Sequence, residues 1–80
     1  MNITQAVVAR IRQLCKQRAI TPNALSYMAA VPQSTVKSIL NGESANPGIV
    51  TIKKLCDGLD ITMTEFFDSP LFAGLEQEIR

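Results

Sequence analysis

Apolar residues recur at helical spacing in two short adjacent segments of the chain, within residues 21–42. The apolar positions are Leu25, Met28 and Ala29 in the first segment and Val36, Ile39 and Leu40 in the second. Each set follows the i, i+3, i+4 pattern of a helix with one buried face. The small residues Ala29 and Ala30 between them allow two helices to cross closely, and Pro32 ends the first helix and can start the second.

The outer face of the second segment carries polar side chains: Gln33, Ser34, Thr35, Lys37, Ser38 and Asn41. Side chains of these types bond base edges or phosphates, and a helix presented after a tight turn is the geometry that enters the major groove of DNA. A helical hairpin in any small bundle would show the same spacing. The pattern alone therefore leaves a DNA-reading helix and an ordinary hairpin both open.

Five helices are predicted in total, and the pair described above forms the second and third of them. The first covers residues 4–18, with Asn2 or Thr4 as N-cap and a stripe of buried residues that comprises Val7, Val8, Ile11, Leu14 and Cys15. The second helix begins with Thr21 as N-cap and Pro22 at its first position. The third begins at Pro32 or Gln33 and ends at Asn41 and Gly42, where the glycine can adopt a left-handed conformation.

Turn-forming residues predict a loop over residues 43–48, and helical spacing resumes over residues 49–59. The inner face of that helix carries Ile52, Leu55, Cys56 and Leu59. Thr62 and Glu65 form a capping box for a fifth helix that ends near residue 68. With no strand-like run, the sequence predicts an all-α domain over residues 1–68.

A short amphipathic tail covers residues 69–80. Its apolar residues, Leu71, Phe72, Leu75 and Ile79, again recur at helical spacing. Such a tail can pack back on the first and fifth helices or offer an apolar strip to a second subunit, and we favour a dimer interface.

Composition narrows the class of protein. A chain of 80 residues with a 46% hydrophobic fraction can form one globular domain, and no uncharged run is apolar enough to span a membrane. With no histidine and two distant cysteines, a zinc site is not expected, and neither is any cofactor or small-molecule site. Cys15 and Cys56 fall on apolar stripes, so we expect core residues in a reducing compartment, the cytoplasm.

The charge is strongly asymmetric along the chain. Residues 1–42 contain five basic residues and no acidic one, whereas residues 43–80 contain three basic residues and seven acidic ones, a net charge of −4. The N-terminal basic residues are Arg10, Arg12, Lys16, Arg18 and Lys37. A DNA duplex would be attracted to the N-terminal half and repelled by the C-terminal end, which favours a single docking face. The charge distribution therefore favours a DNA-reading helix over an ordinary helical hairpin.

Together these residues resemble the lambda-repressor-like (Xre or Cro-type) helix-turn-helix family of bacterial and phage transcriptional regulators. The resemblance covers residues 4–68 and rests on a combination of short motifs: Arg10-Ile11-x-x-Leu14, Thr21-x-x-x-Leu25, Ala30-Val31, Gln33-Ser34-Thr35-Val36, Ile39-x-Asn41-Gly42, Asn46-Pro47, Thr51-Ile52-x-Lys54-Leu55-Cys56 and Leu59-x-Ile61-Thr62-x-x-Glu65-Phe66-Phe67. It implies a compact five-helix fold that acts as a homodimer on a double-stranded, inverted-repeat DNA operator.

The family positions imply roles for individual residues. Gln33, Ser34 and Ser38 match side chains that meet base edges, and Gln33 could bond adenine N6 and N7 at once. Lys37 could reach a guanine or a phosphate. The residues expected at phosphates are Thr21, Asn23, Thr35, Asn41, Asn46 and Lys54. Thr35 could instead cap the third helix, and Asn41 could instead end it.

Three departures from the family pattern stand out. Ala30 replaces the glycine that is usual at the turn, so it must tolerate the local backbone. Pro22 replaces a glutamine that holds a phosphate, which leaves backbone N–H groups for that contact. Cys15 and Leu40 replace an arginine–glutamate pair, and this substitution is expected to remove one charge of each sign from beneath the DNA-facing surface.

The leading hypothesis is a sequence-specific DNA-binding regulator, in particular a repressor. The alternative is an antitoxin-like or other protein-interaction module with the same fold, which would bind a protein partner tightly and DNA only weakly. An enzyme is not expected, because the chain has no histidine and no glycine-rich phosphate loop.

Overall fold

The computed structural model describes residues 1–44 and 46–79; Ala45 in the predicted loop and Arg80 in the predicted tail lie outside the described residues. This part of the chain forms five α-helices and one 3₁₀ turn and contains no strand. The α-helices are α1 (Ile3–Gln17), α2 (Pro22–Ala29), α3 (Gln33–Leu40), α4 (Ile49–Gly58) and α5 (Met63–Phe67). The all-α prediction is confirmed.

Capping residues define where most helices begin. The Asn2 side chain accepts a hydrogen bond from the Gln5 N–H, and the Gln5 side chain accepts one from the Asn2 N–H. Helix α1 therefore starts one residue earlier than predicted, and Thr4 is not its cap. Thr21 caps α2, and Thr62 with Glu65 forms the predicted capping box of α5.

Side chains from all five helices meet in one hydrophobic core. Its fully buried members are Ile11, Leu25, Ile39, Leu55, Cys56, Leu59 and Phe66. One core prediction is wrong: Met28 is 50% exposed, and Ser26 is buried in its place. In a helix of eight residues, the buried stripe of α2 runs along Leu25, Ser26 and Ala29, and the Ser26 hydroxyl donates to the Asn23 carbonyl at 2.6 Å.

Two backbone features set how α2 meets its neighbours. Ala30 ends α2 with a φ of 54°, in the left-handed region that normally favours glycine, so the expected strain at the turn is present. Helix α2 also packs against α4. A Cβ atom on Gly58 would lie 2.9 Å from the Ala29 Cα, so only glycine permits this crossing of α2 and α4.

The segment after α5 does not continue as a helix. Pro70–Phe72 form a single 3₁₀ turn, Ala73 is extended, and Gly74 has a φ of 67°, which ends helical geometry despite the helical spacing of the apolar residues. The turn packs on α1, and the Phe72 ring lies 4.9 Å from the ring of Phe67. This part of the tail packs back on the domain, and Ile79 remains 77% exposed.

Both cysteines are buried and free of any disulfide, as expected for core residues. Burial raises the pKa of the Cys15 and Cys56 thiols, which keeps both protonated at neutral pH. No helix in the described part of the chain has the length and apolar character needed to span a lipid bilayer.

Candidate nucleic-acid interface

Helix α3 is anchored by its inner face and presents polar residues on its outer face. Val36, Ile39 and Leu40 are buried, as predicted. The exposed residues of the outer face are Gln33, Ser34, Lys37 and Asn41, whereas Thr35 and Ser38 are half-buried. Pro32 precedes the helix without a side-chain cap, so Thr35 does not cap α3, and Asn41 ends it.

A concave surface lies between the start of α2 and the outer face of α3. Six of the predicted site residues line it: Thr21, Asn23, Gln33, Ser34, Lys37 and Asn41. The lining is completed by Arg12, Pro22, Val36 and Leu40. Two sequence segments that are separated by the turn thus contribute to one concave surface, which we call the α2–α3 surface.

Four predicted site residues do not line the α2–α3 surface, because they lie elsewhere or are half-buried. Asn46 lines a different groove, between the start of α1 and the start of α4. Lys54 is exposed on α4. Thr35 and Ser38 belong to α3 but are half-buried and do not line the α2–α3 surface.

The start of α2 faces this surface with its N-terminal backbone. Thr21 is exposed, and its hydroxyl oxygen accepts a hydrogen bond from the Ala24 N–H at 3.0 Å. Pro22 has no N–H, so the Asn23 N–H is the first donor of the helix. The N-terminal end of a helix carries a partial positive charge that favours a phosphate.

Arg12 brings a positive charge to the end of α3. Its Nη2 atom donates to the Leu40 carbonyl at 3.1 Å, at the negative end of the helix dipole. Cys15 and Leu40 are buried apolar residues, and Arg12, one turn before Cys15 on α1, supplies a cation beside them.

Arg10, only two residues earlier, has a different role. Its Nε donates to the Phe66 carbonyl at 2.8 Å, its Nη2 to the Glu65 carbonyl at 2.9 Å, and its Nη1 to Gln13 Oε1 at 2.6 Å. It therefore links α1 to the end of α5.

The other basic residues also differ in whether they form internal contacts or are exposed. Lys53 pairs with Asp57 one turn along α4. Lys16 in the last turn of α1, Arg18 just after that helix and Lys37 on α3 are exposed. The cations closest to the α2–α3 surface are therefore Arg12 and Lys37, both of which line it.

Tyr27 does not line this surface but contacts Gln33, which does, and the sequence patterns did not reveal it. It is 75% exposed, and its hydroxyl oxygen accepts a hydrogen bond from Gln33 Nε2 at 3.1 Å. The sequence signal available was its position beside the buried stripe of α2, which places a large aromatic ring in solvent. Residues 1–44 and 46–79 contain no group of three His, Cys, Asp or Glu side chains close enough to bind a metal ion.

Comparison with known proteins assigns this geometry to a family. The model of the Cro/C1-type HTH DNA-binding domain matches residues 10–70, about three quarters of the chain. The chain belongs to the Cro/C1-type helix-turn-helix family. It is therefore a DNA-binding protein of the regulator class, with α2 and α3 as its helix-turn-helix.

A solved structure agrees with this assignment. The fold is similar to the crystal structure of prophage Lp1 protein 11, with a TM-score of 0.80 and 33% sequence identity. The similarity covers 94% of this chain and 100% of that protein. No protein of curated function matches the chain.

Proposed function

We propose that the protein is a sequence-specific transcriptional repressor that reads the major groove with the start of α3. The observation that carries the proposal is the α2–α3 surface, which joins six of the residues that the family resemblance assigned to bases and phosphates. Occupancy of a promoter would then be the mechanism of repression. We also propose the cytoplasm as its location, where bacterial DNA is accessible.

Gln33 is the proposed principal reader. It is the first residue of α3 and is exposed, and the N-terminal residues of a recognition helix are those that contact base edges. A glutamine amide can accept from adenine N6 and donate to N7, which discriminates by about 1–3 kcal/mol against the wrong base. Ser34 and Lys37 are the proposed secondary contacts, and half-buried Ser38 would act only at close approach or through water.

Arg12, Asn41 and the start of α2 are proposed to hold the phosphate backbone. These groups line the same surface as Gln33, and phosphate contacts there would fix the register of α3 in the groove. Thr21 and Asn23 would flank a phosphate at the positive end of the α2 dipole. The exposed Lys54 and Asn46, on other parts of the surface, are proposed as outlying phosphate contacts.

Dimerisation is proposed because operators of this family are inverted repeats. Ile49 and Val50, adjacent at the start of α4, are 67% and 65% exposed, which is unusual for two large aliphatic side chains. Burial of these residues in a second copy would contribute to association. The exposed Ile79 of the tail would extend that contact.

The test is selection of bound sequences from a random duplex pool with the original protein, Gln33→Ala and Gln17→Ala. Gln17 is an exposed glutamine at the end of α1 and provides the matched control. We expect an inverted repeat, with loss of preference at one position per half-site in Gln33→Ala and no change in Gln17→Ala.

Two results would overturn this proposal. If no sequence is enriched, the protein does not read DNA specifically, and the alternative of a protein-interaction module gains support. If Gln33→Ala selects the same site with the same preference, Gln33 is not the reader. A dimer that makes about six phosphate contacts should also show a log–log salt dependence of affinity with a slope of about −5.

A further inference from the structure

We propose that Tyr27 is a positioning residue that orients the side-chain amide of Gln33 for base reading, and so helps to determine operator specificity. The inference rests on the proposed role of Gln33. The two residues belong to different helices, since Tyr27 lies in the last turn of α2 and Gln33 begins α3. Their hydrogen bond spans the turn of the helix-turn-helix.

The contact lies on the surface and not in the core. Tyr27 is 75% exposed and Gln33 is also exposed, so the bond buries almost no apolar area and contributes little to folding. Its position, beside the first exposed residue of α3, is where a base pair would approach. A hydrogen bond at this place restricts the orientation of the Gln33 side-chain amide in the free protein, before DNA binds.

The chemistry of the amide explains why orientation matters. A glutamine side chain has one acceptor oxygen and two N–H donors, and rotation about its last torsion is only weakly restricted. Tyr27 accepts one of the two N–H donors. The remaining N–H and the carbonyl oxygen are the pair that complements N7 and N6 of adenine.

Tyrosine suits this role because its ring moves through only two torsions and carries the hydroxyl at a fixed distance from the backbone. With the amide held, Gln33 presents one donor and one acceptor in a fixed order. Without the hydroxyl, the amide can rotate by half a turn and present the opposite order, which mismatches adenine. Discrimination between base pairs therefore falls more than affinity for DNA in general.

The experiment is a double-mutant cycle with the original protein, Tyr27→Phe, Gln33→Ala and the double variant. Dissociation constants are measured on the selected operator and on the same duplex with the Gln33-dependent base pair replaced. The quantity compared is the specificity ratio, which is the dissociation constant for the replaced duplex divided by that for the selected operator. Met28→Ala serves as a matched control, because Met28 is the neighbouring exposed residue of α2.

We expect Gln33→Ala to reduce the ratio by about 10- to 100-fold. Tyr27→Phe, which removes one neutral hydrogen bond, should reduce it by about 3- to 10-fold and leave binding to the replaced duplex unchanged. In the Gln33→Ala background, Tyr27→Phe should have no further effect on the ratio. Met28→Ala should leave the ratio as it is.

A direct readout on the free protein separates positioning from folding. Isotope-labelled protein should show a shift of the Gln33 side-chain amide resonances in Tyr27→Phe, with the thermal unfolding midpoint unchanged. Unchanged resonances would overturn the inference without involving DNA.

The remaining outcomes are distinguishable. If Gln33→Ala reduces the ratio and Tyr27→Phe does not, the inference fails and the proposed role of Gln33 stands. If Tyr27→Phe weakens binding to both duplexes equally in either background, Tyr27 is a backbone contact and not a positioning residue. If Gln33→Ala leaves the ratio unchanged, the proposed role of Gln33 and the inference fail together.

Discussion

Two faces of helix α1 serve two different regions of the molecule, which we call the α5 pole and the α2–α3 pole. At one pole, Arg10 donates to the carbonyl groups of Glu65 and Phe66 and holds α5 in place. At the other, Arg12 donates to a single carbonyl at the end of α3 and lines the α2–α3 surface. Two arginines of one helix, two residues apart, therefore have different roles: Arg10 contacts α5, and Arg12 lines the α2–α3 surface.

The difference shows that charge along the sequence is not charge available to DNA. The α5 pole uses its arginine and its phenylalanine rings for internal contacts, whereas the α2–α3 pole keeps polar side chains exposed on a buried apolar base. Changes at the first pole should act on stability. Changes at the second should act on binding and its dependence on salt.

Phe66→Ala should have the largest effect, because Phe66 is fully buried and its ring lies 4.9 Å from that of Phe67. We expect a loss of about 3–5 kcal/mol in the free energy of unfolding, measured by urea denaturation. Phe67→Ala, at a ring that is 36% exposed, should cost distinctly less. Equal losses would contradict the division between buried and exposed rings of this pole.

Arg10→Met and Arg12→Met test the comparison directly. Arg10→Met should lower the free energy of unfolding by about 1–3 kcal/mol, since it removes three charge-assisted hydrogen bonds and retains the aliphatic stem. Arg12→Met should cost less stability but reduce the salt slope of DNA binding by about one phosphate per subunit. A salt slope that falls in Arg10→Met would show that the two poles are not separate.

Ala30→Gly should stabilise the protein by about 0.5–1 kcal/mol, because Ala30 has a φ of 54° and a glycine relieves the left-handed strain. Ala24→Gly, within α2, should instead destabilise by about 1 kcal/mol. Thermal unfolding of both variants tests the sign. A destabilised Ala30→Gly would mean that the turn is not strained.

Glu65→Gln should have the smallest effect, which is present at neutral pH and disappears in acid. Hydrogen bonds from the Thr62 backbone and side chain, together with the Arg18 charge, lower the pKa of the Glu65 carboxyl. The stabilisation is therefore present above the ordinary glutamate pKa and is lost as the pH falls through the lowered value in the folded state. Unfolding at pH 3–7 should show a flatter pH dependence in Glu65→Gln than in the original protein or in Glu43→Gln.

Local signals explain why most of the fold was predictable. Thr21 before Pro22, and Thr62 three residues before Glu65, each specify a helix start through short-range hydrogen bonds. The inner faces of α3 and α4 were predictable because the apolar residues of each helix recur with an unambiguous helical period. The prediction that Met28 is buried was wrong because the buried stripe of a short helix can be assigned with a phase error of one or two residues. In α2 the buried side includes Ser26.

The candidate site was predictable only as a set of positions. The outer face of α3 follows from helical phase, but the contact between Tyr27 and Gln33 depends on the angle at which two helices meet across the turn. The partners of Arg10 and Arg12 lie 28 or more residues away in sequence, apart from Gln13. Long flexible side chains can reach many such partners, so no local pattern selects one.

The division of α3 into an anchored side and an exposed side has an evolutionary consequence. Val36, Ile39 and Leu40 secure the helix, while Gln33, Ser34 and Lys37 lie outside the core. Exchange of the three exposed residues should leave the scaffold intact. New operator preferences can therefore arise by few substitutions without an intermediate that fails to fold, which makes this helix a natural place to reprogramme the protein.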